Sequence, residues 1–334
     1  MKLNTLRAGV IGLGVGERHV AGYGEIEGCD VVAICDRDPV KLAEVGERQG
    51  VTCRETDWRK IVDHPDIDLI SICSHDDAHT EQAVAAFGNG KHVMIEKPIA
   101  LNRREAEAIL RAQQDSGCLI TSNLILRQSP RFQEVRQMAR DGAFGELFYM
   151  EGDYVHQILW KILEGWRGKM DFYCVTYGGG IHLIDLMRWI SGQEVIEVAG
   201  MGGKVLTRGS SYRYPDTIVN LLRFENDLIA KTATTFGSQR PQLHALQVHG
   251  SKATFVNEYP DARLYSGDTD EGTVVTTPYP AIAKSDLLPD FVAAIREGRE
   301  PIVGARDVFR VMDICFAAWE SVEAGRSIAV SYGI

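Results

Sequence analysis

The stretch RAGVIGLGVGERH at residues 7–19 places glycines between an apolar, strand-like run and a plausible helix. Such glycines let a dinucleotide pyrophosphate approach backbone N–H groups at a helix N-terminus, which attracts anions. The positions expected to face the pyrophosphate are Gly12, Gly14, Val15 and Gly16. The third glycine comes one position earlier than in G-x-G-x-x-G, where Glu17 stands, and a plain tight turn is the alternative interpretation.

Short apolar runs and helical patterns alternate through residues 1–123. VVAIC, LISIC, HVMIE and CLITS are typical of strands, and EQAVAAFGNG has apolar residues at helical spacing before its glycines. This βαβ rhythm predicts an α/β Rossmann domain with a doubly wound parallel sheet.

The pattern changes over residues 124–334, where the strands become longer and alternate in polarity. The hairpin TIVNLLRF-END-LIAKTATTF is typical of antiparallel pairing. We expect an α+β domain with an open, mostly antiparallel sheet. Its apolar open face is expected to form a homo-oligomer, a dimer or tetramer.

Size and charge limit the classes of protein to which the chain can belong. The chain has 334 residues, more than a single hydrophobic core usually serves, and a formal net charge of −10, which argues against nucleic acid or a membrane as partner. The seven cysteines form no CxxC pair and predict reduced thiols in a soluble, cytoplasmic protein without a metal site. Glycines and charges interrupt the first apolar run, so neither a signal peptide nor a membrane span is expected.

Asp36 ends the second strand-like run, about twenty residues past the glycine loop. A carboxylate there accepts hydrogen bonds from the adenosine ribose and repels a 2′-phosphate, which predicts NAD as cofactor and makes NADP less suitable. Arg37 leaves NADP as an alternative cofactor, because its guanidinium can pair with the 2′-phosphate. A helix N-cap is the alternative role, and Asp38 suits it better because Pro39 follows.

Glu96, Lys97 and Pro98 close the fifth strand-like run, at the carboxyl edge where doubly wound sheets bind ligands. Pro98 keeps Lys97 out of helical geometry and makes a cis peptide bond plausible. A lysine at a strand end is otherwise usually a solvated surface group.

Five segments, in this order, resemble the signatures of the Gfo/Idh/MocA family: GLGVGERH, CDRDP, SHDDAHTEQAVAAFGNGKHVMIEKP, GGGIHLIDLMRW and AIREGREPIVGARD. The resemblance implies that the domain over residues 124–334 binds the substrate, and that hydride is exchanged between NAD and a sugar or cyclitol carbon. It also implies that Lys97 hydrogen-bonds the reacting hydroxyl and helps relay its proton, and that His182 approaches the same oxygen. Asp185 shares a helix face with His182, so it is expected to act as its acid–base partner or to bind a substrate hydroxyl.

Further side chains are expected beside the two ligands, although a surface or packing role is open for each. The loop after the fourth strand resembles the family segment beside the cofactor, without its usual proline. The cofactor-binding candidates outside the glycine loop are Asp36, Arg37, Ser74, His75, His79, Glu96 and Lys97. The substrate-binding candidates are Asn123, Arg127, Tyr154, His156, Trp160, Trp166, Arg167 and Asp185.

The clearest departure from the family lies four residues before His182. Many family dehydrogenases have an aspartate there, whereas this chain has Gly178 within three consecutive glycines. We expect Tyr177, Tyr173 or Asp171 to compensate. The glycines are expected either to provide backbone freedom or to let a bulky substrate or the nicotinamide approach the backbone.

The leading hypothesis is an NAD(P)-dependent dehydrogenase that oxidises a secondary alcohol of a sugar, sugar derivative or cyclitol. One alternative is a redox-assisted glycosidase or lyase that uses tightly held NAD catalytically. Another is a non-catalytic NAD-binding regulator, since a fold does not fix a function. The retained Lys97 and His182 argue against the regulator.

Overall fold

The computed structural model describes residues 5–267 and 270–333. Within them the chain forms two compact units, the first from residues 5–125 and 283–309 and the second from residues 126–282 and 310–333. The expected division after Asn123 therefore differs from the observed one. The boundary lies two residues later, and residues 283–309, which precede the last strand of the second sheet, belong to the first unit.

The helices of both units begin and end close to the positions that the sequence indicates. Asp38 caps its helix by accepting hydrogen bonds from the backbone N–H groups of Val40 and Lys41, at 2.9 and 3.3 Å, as predicted. Gly298 adopts a left-handed φ of 64° directly after another helix, a common way to end one. The helices are α1 Gly16–Gly24, α2 Pro39–Gln49, α3 Arg59–Val62, α4 His79–Gly88, α5 Arg103–Ser116, α6 Pro130–Arg140, α7 Trp160–Leu163, α8 Ile181–Ser191, α9 Leu288–Glu297 and α10 Ala305–Ala324.

A parallel sheet forms the centre of the first unit, which confirms the predicted Rossmann architecture. Among the described residues it has six strands in the order β3-β2-β1-β4-β5-β6. Its strands are β1 Leu6–Ile11, β2 Cys29–Cys35, β3 Cys53–Glu55, β4 Leu69–Ile72, β5 His92–Ile95 and β6 Ile120–Ser122. β4 is buried along its whole length, as expected for a strand with helices on both faces of its sheet.

A larger mixed sheet forms the second unit. Its nine strands in the described part of the chain run in the order β14-β13-β12-β11-β7-β10-β9-β8-β15, and every neighbouring pair is antiparallel except β7 with β10. The predicted open, mostly antiparallel sheet is therefore confirmed. The strands are β7 Leu147–Val155, β8 Val195–Gly203, β9 Thr217–Phe224, β10 Ile229–Thr235, β11 Leu243–Gly250, β12 Ala253–Asn257, β13 Ala262–Ser266, β14 Thr273–Val275 and β15 Ile328–Ala329.

Helices cover one face of this second sheet. α8 packs on β7, where a Cβ added to Gly152 would lie 3.1 Å from Leu183 and 3.2 Å from Met187. α10 packs on β8, and Ser321 Oγ accepts a hydrogen bond from the backbone N–H of Gly200 at 2.8 Å. The opposite face is open, as the alternating exposure of β9 shows.

The seven cysteines all lie within the described residues and are free thiols, six of them buried. Among the helices described, none has the length and apolar character needed to cross a membrane. No group of three or more histidine, cysteine, aspartate or glutamate side chains that could hold a metal ion occurs among the described residues.

Candidate active site

The glycine loop after β1 is a cradle that side chains would fill. Gly12 has φ +86°, and a Cβ there would lie 2.5 Å from the carbonyl oxygen of Cys73. A Cβ on Gly16 would lie 2.9 Å from Val10, whereas Gly14 is exposed. Because α1 begins at Gly16, the loop presents a helix N-terminus and open backbone to one place, which fits a pyrophosphate.

Asp36 follows β2 and faces this loop. Its carboxylate accepts hydrogen bonds from the backbone N–H groups of Leu13 at 2.7 Å and Asp38 at 3.0 Å, and Lys41 Nζ lies 3.3 Å away. Partial burial opposes ionisation, but these two N–H groups and Lys41 outweigh it and lower the pKa of Asp36. An ionised acceptor therefore stands at the strand end, as the ribose interaction requires. Lys41 was not anticipated, although its position in the first turn after Asp38 could have indicated it.

The loop after β4 brings several predicted cofactor residues together. Arg37 Nη2 donates to His75 Nδ1 at 3.1 Å, and Ser74 Oγ donates to Gln82 at 2.7 Å. His79 is fully buried, with Nδ1 2.8 Å from the Pro98 carbonyl oxygen and Nε2 3.3 Å from the Ser74 carbonyl oxygen. His79 thus links the loop after β4 to the loop after β5 and has no exposed surface for a ligand. We therefore replace its expected contact with the cofactor by a positioning role.

Glu96 is held by neighbours that favour its charge. His19 Nε2 lies 3.7 Å from Glu96 Oε1, and Asn123 Nδ2 donates to the same oxygen at 2.7 Å. Burial alone would raise the pKa of Glu96, but His19, Lys284 and Asn123 lower it to about 2. Asn123 thus orients Glu96. The sequence predicted a substrate contact for Asn123 and did not predict this hydrogen bond. His19 was missed, because a histidine within a helix gives no signal of a partner so distant in sequence.

Lys97 lies directly after Glu96 at the carboxyl edge of the first sheet and is half-buried. Its peptide bond to Pro98 is cis, in agreement with the expectation. β1, β2, β4 and β5 all end at this edge, so the glycine loop, Asp36 and Lys97 belong to the same side of the unit.

His182 lies in the first turn of α8 in the second unit, within a buried group of rings. The ring of Tyr154 on β7 stacks with it at 6.4 Å and 22°, and the ring of His244 on β11 lies 6.4 Å away at 76°. The ring of His156 lies 5.9 Å from that of Tyr154. We call Tyr154, His156, His182 and His244 the imidazole cluster. Burial raises the pKa of Tyr154 to about 12, with Arg167 acting in the opposite direction, so its phenol stays protonated at neutral pH.

The three glycines before α8 form a π-helical turn, Thr176–Gly180. None of them has a positive φ, which corrects the expectation of backbone freedom. They permit close packing instead. A Cβ on Gly179 would lie 2.6 Å from Tyr154, one on Gly180 would overlap Thr234, and one on Gly178 would overlap the hydroxyl of Tyr173.

Of the three residues expected to compensate for the missing aspartate, Tyr173 is therefore the one that occupies the space into which an aspartate at position 178 would extend. The ring of Tyr177 instead packs against Phe172 and Phe316, at 5.6 and 5.7 Å. The side chain of Asp171 is fully exposed.

Asp185 and Arg127 form a buried ion pair in the second unit. Arg127 Nε and Nη2 donate to the two carboxylate oxygens of Asp185 at 2.8 and 2.5 Å, and the side chains are 2% and 1% exposed. Arg188 Nη1 lies 4.0 Å from the same carboxylate. These contacts anchor α8, so the geometry favours positioning over the expected catalytic or substrate contact.

The predicted substrate-binding residues Trp160, Trp166 and Arg167 lie in different surroundings. Arg167 stacks on Trp166 at 4.2 Å and lies 5.9 Å from the ring of Tyr173, beside the imidazole cluster. Trp160 is 55% exposed. His244 belongs to the cluster but was not singled out from the sequence, where it is one polar residue in an alternating strand.

A parallel sheet whose edge carries a glycine cradle and an ionised carboxylate defines a dinucleotide-binding oxidoreductase. Family comparison agrees, because residues 6–124 match the oxidoreductase family with an NAD-binding Rossmann fold and residues 132–256 match the GFO/IDH/MocA C-terminal domain. The chain belongs to the Gfo/Idh/MocA family, which confirms the resemblance and NAD as the family's cofactor.

Individual relatives are distant. The chain is 28% identical over 297 residues to glycosyl hydrolase family 109 protein 4 of Phocaeicola vulgatus, a match covering 78% of this chain and 57% of that protein. It thus spans little more than half the length of that relative. It is 24% identical to myo-inositol 2-dehydrogenase of Thermotoga maritima, over 97% of this chain and 98% of the relative. The solved structure of levoglucosan dehydrogenase with NADH has the same fold, with a TM-score of 0.89 at 23% identity, covering 98% of this chain and 99% of that one.

Proposed function

We propose that this chain catalyses reversible oxidation of a secondary alcohol on a sugar, sugar derivative or cyclitol, with NAD as hydride carrier. The observation that carries the proposal is the imidazole cluster around His182. Imidazoles exchange protons near neutral pH, which an alcohol oxidation needs and a protein that only binds NAD does not. The cluster therefore favours an enzyme over a regulator.

The first unit supplies the residues that would hold NAD. We assign the backbone around Gly12, Gly14 and Gly16 to the pyrophosphate, and the Asp36 carboxylate to the ribose hydroxyls. Bound NAD⁺ supplies the acceptor for the hydride. Arg37, with its partner His75, is placed beside Asp36 to flank the adenosine end.

Proton transfer is assigned to Lys97 and His182. When a hydride leaves the alcohol carbon, the hydroxyl proton must also leave, and an ammonium stabilises the developing alkoxide. Lys97 takes this part on the first unit. His182 accepts or returns the proton on the second, and Tyr173, which fills the space beside Gly178, is proposed to position it.

The named activities of relatives support the substrate class, since myo-inositol and levoglucosan are polyhydroxylated rings. Similarity to a glycosyl hydrolase family 109 protein favours a second candidate, a redox-assisted glycosidase or lyase. Net consumption of NAD distinguishes the two, because only the dehydrogenase uses the cofactor stoichiometrically.

Assembly and location are also proposals. The open face of the second sheet exposes Met201, Val219 and Leu221 around an ion-pair group of Lys231 with Glu151 and Asp153, which supports a homo-oligomer formed through this face. Free cysteines throughout the described residues support a cytoplasmic location.

A screen of the purified protein tests the proposed function. Sugars, inositols, sugar acids and nucleotide sugars are supplied with NAD⁺ or NADP⁺, and nicotinamide absorbance is followed. We expect NAD⁺ reduction with at least one polyol. Tight NADH binding without turnover of any of them would contradict the proposal and favour the regulator.

A further inference from the structure

His19 is a fully buried histidine to which the proposed reaction gives no part. It lies in the first turn of α1, directly after the glycine loop, and its ring reaches the end of β4. Nδ1 is 3.0 Å from the hydroxyl oxygen of Ser71 and 3.5 Å from the sulfur of Cys73. The hydroxyl of Tyr23, one turn further along α1, lies 2.8 Å from the same Ser71 oxygen. These contacts hold the ring in an orientation that directs Nε2 towards Glu96.

The charge of Glu96 decides where His19 carries a proton. Nε2 lies 3.7 Å from Glu96 Oε1, which is longer than a hydrogen bond but close enough for an electrostatic interaction. The carboxylate is ionised at neutral pH, because the pKa of Glu96 is about 2. A lone pair on Nε2 would face that negative charge, so Nε2 carries a proton whether the ring is neutral or cationic. His19 therefore presents an N–H to one oxygen of the carboxylate.

The same oxygen is held from a second side by Asn123. Its Nδ2 donates to Glu96 Oε1 at 2.7 Å and to the backbone oxygen of Lys284 at 3.1 Å. Both partners can only accept, so the amide nitrogen must face them. Burial, with Glu96 adding to it, raises the pKa of Cys73, which therefore stays a neutral thiol. The titratable groups nearest to the carboxylate are His19, Cys73, Lys284 and, next in sequence, Lys97.

The second oxygen of Glu96 is placed to meet a ligand. The side chain is 12% exposed, and Oε2 makes no hydrogen bond to the described residues. Glu96 follows β5, whereas Asp36 follows β2, and the two strands are three places apart on opposite sides of β1, about 14 Å at the usual strand spacing. With the adenosine ribose at Asp36 and the pyrophosphate at the loop after β1, the other half of a dinucleotide extends towards Glu96.

We infer that His19 is a positioning residue of the cofactor site: together with Asn123 it holds Glu96 so that Oε2 accepts a hydrogen bond from a neutral donor in the nicotinamide half of NAD, a ribose hydroxyl or the carboxamide. This inference rests on the proposed use of NAD. A phosphate is unsuited to the same position, because the carboxylate repels it. Only the ionised carboxylate accepts fully, so affinity for NAD falls when the pH falls through the pKa of Glu96.

Calorimetric titration with NAD⁺ and with ADP tests this role, because ADP has the adenosine and pyrophosphate but no nicotinamide. His19→Leu should weaken NAD⁺ binding roughly three- to tenfold at pH 7 and leave ADP binding unchanged. The loss should grow at pH 5, since removal of the N–H raises the pKa of Glu96. His19→Gln places an amide N–H near the position of Nε2 and should restore binding. His92→Leu, at the other end of β5, is the matched control and should change neither affinity.

A double-mutant cycle separates positioning from a structural defect. In a Glu96→Gln background, His19→Leu should cause no further loss of NAD⁺ affinity. Asn123→Leu removes the other donor to Oε1, so it should cause the same selective loss and serves if His19→Leu does not fold. Unchanged NAD⁺ affinity in both single variants, equal losses for NAD⁺ and ADP, or an undiminished loss in the Glu96→Gln background would overturn the inference.

The 3-acetylpyridine analogue of NAD⁺, whose acetyl group has no N–H, identifies the donor. If His19→Leu weakens binding of the analogue as much as that of NAD⁺, the ribose hydroxyl is the donor, and if it does not, the carboxamide is; both results support the role of His19. These measurements need no turnover. If they are as expected but the wild-type protein oxidises no polyol, the proposed function fails and the role of His19 in cofactor binding stands. A wild-type protein that binds ADP but not NAD⁺ would overturn the inference.

Discussion

The proposed preference for NAD over NADP depends on one ionised carboxylate, that of Asp36. The backbone N–H groups of Leu13 and Asp38 hold it at the end of β2, where its charge repels a 2′-phosphate. Lys41, 3.3 Å away, offsets part of this repulsion, so a preference for NAD with measurable NADP binding is expected.

Asp36→Ala should narrow the difference in Kd between NADH and NADPH by roughly tenfold, through loss of repulsion and of the ribose acceptor. Titration of protein fluorescence with both cofactors measures it. Asp30→Ala, at the other end of β2, is the control. Equal or tighter NADPH binding by the wild-type protein would contradict the assignment.

Lys97→Ala should lower kcat by roughly two to four orders of magnitude and leave NADH binding largely intact, the usual effect of removing a positioned proton-transfer group. Single-turnover kinetics and cofactor titration measure the two effects. Lys60→Ala, an exposed lysine of the same unit, should change neither. Near-normal single-turnover rates in Lys97→Ala would make Lys97 a surface residue.

The ionised carboxylate of Glu96 leads us to predict that the protein loses stability at acid pH. Its pKa of about 2 lies below the ordinary 4.5, so its ionised form stabilises the fold above about pH 4.5, and this contribution is lost as the pH falls towards 2. Glu96→Gln should lower stability at neutral pH and flatten its dependence on pH in the acid range. Urea unfolding at several pH values measures this, with Glu107→Gln on exposed α5 surface as control. If the free energies of unfolding of Glu96→Gln and the wild-type protein depended on pH in the same way, this prediction would be contradicted.

Among the elements, the π-helical turn before α8 shows what the sequence could and could not reveal. The cap at Asp38 and the β9–β10 hairpin follow from local rules, and they were predicted. The reason for the triple glycine was not, because Tyr173, Tyr154 and Thr234 meet it only through tertiary packing. The Arg127–Asp185 pair joins residues 58 apart, a separation at which spacing carries no information.

Gly178→Asp should destabilise the protein by about 1–3 kcal/mol and should not raise kcat, because its side chain would overlap the Tyr173 hydroxyl. Adding Tyr173→Phe should recover part of the stability. Gly88→Ala, at the open end of α4 with nothing within 4 Å of its Cβ, is the control. Thermal unfolding and steady-state kinetics check both; a stable Gly178→Asp protein with higher kcat would show that the relay lacked only its aspartate.

At the scale of the whole molecule, composition and periodicity predicted two domains and both sheet types. They did not predict that residues 283–309 return to the first unit, since an amphipathic helix has the same periodicity whichever unit it packs in. The parallel pairing of β7 with β10 was equally hidden, because strand partners depend on the path of the intervening chain.

Assembly should depend on the open sheet face. Leu221→Glu introduces a charge beside Val219 and Met201, and we expect the wild-type oligomer to dissociate towards monomer. Sedimentation velocity measures this. Val40→Glu, on exposed α2, should leave assembly unchanged. A monomeric wild-type protein, or an oligomer that tolerates Leu221→Glu, would place the interface elsewhere or remove it.

Transfer of deuterium from NADH to substrate tests the proposed reaction most directly. NADH deuterated at C4 on either face is incubated with ketoses and keto-inositols, and the products are analysed by mass spectrometry. A dehydrogenase predicts one deuterium in the alcohol for each NADH consumed when the label is on the face from which hydride is transferred, and none when it is on the other face. The rate should be greatly reduced in Lys97→Ala. Tight NADH binding with no deuterium in any product would contradict the proposed reaction.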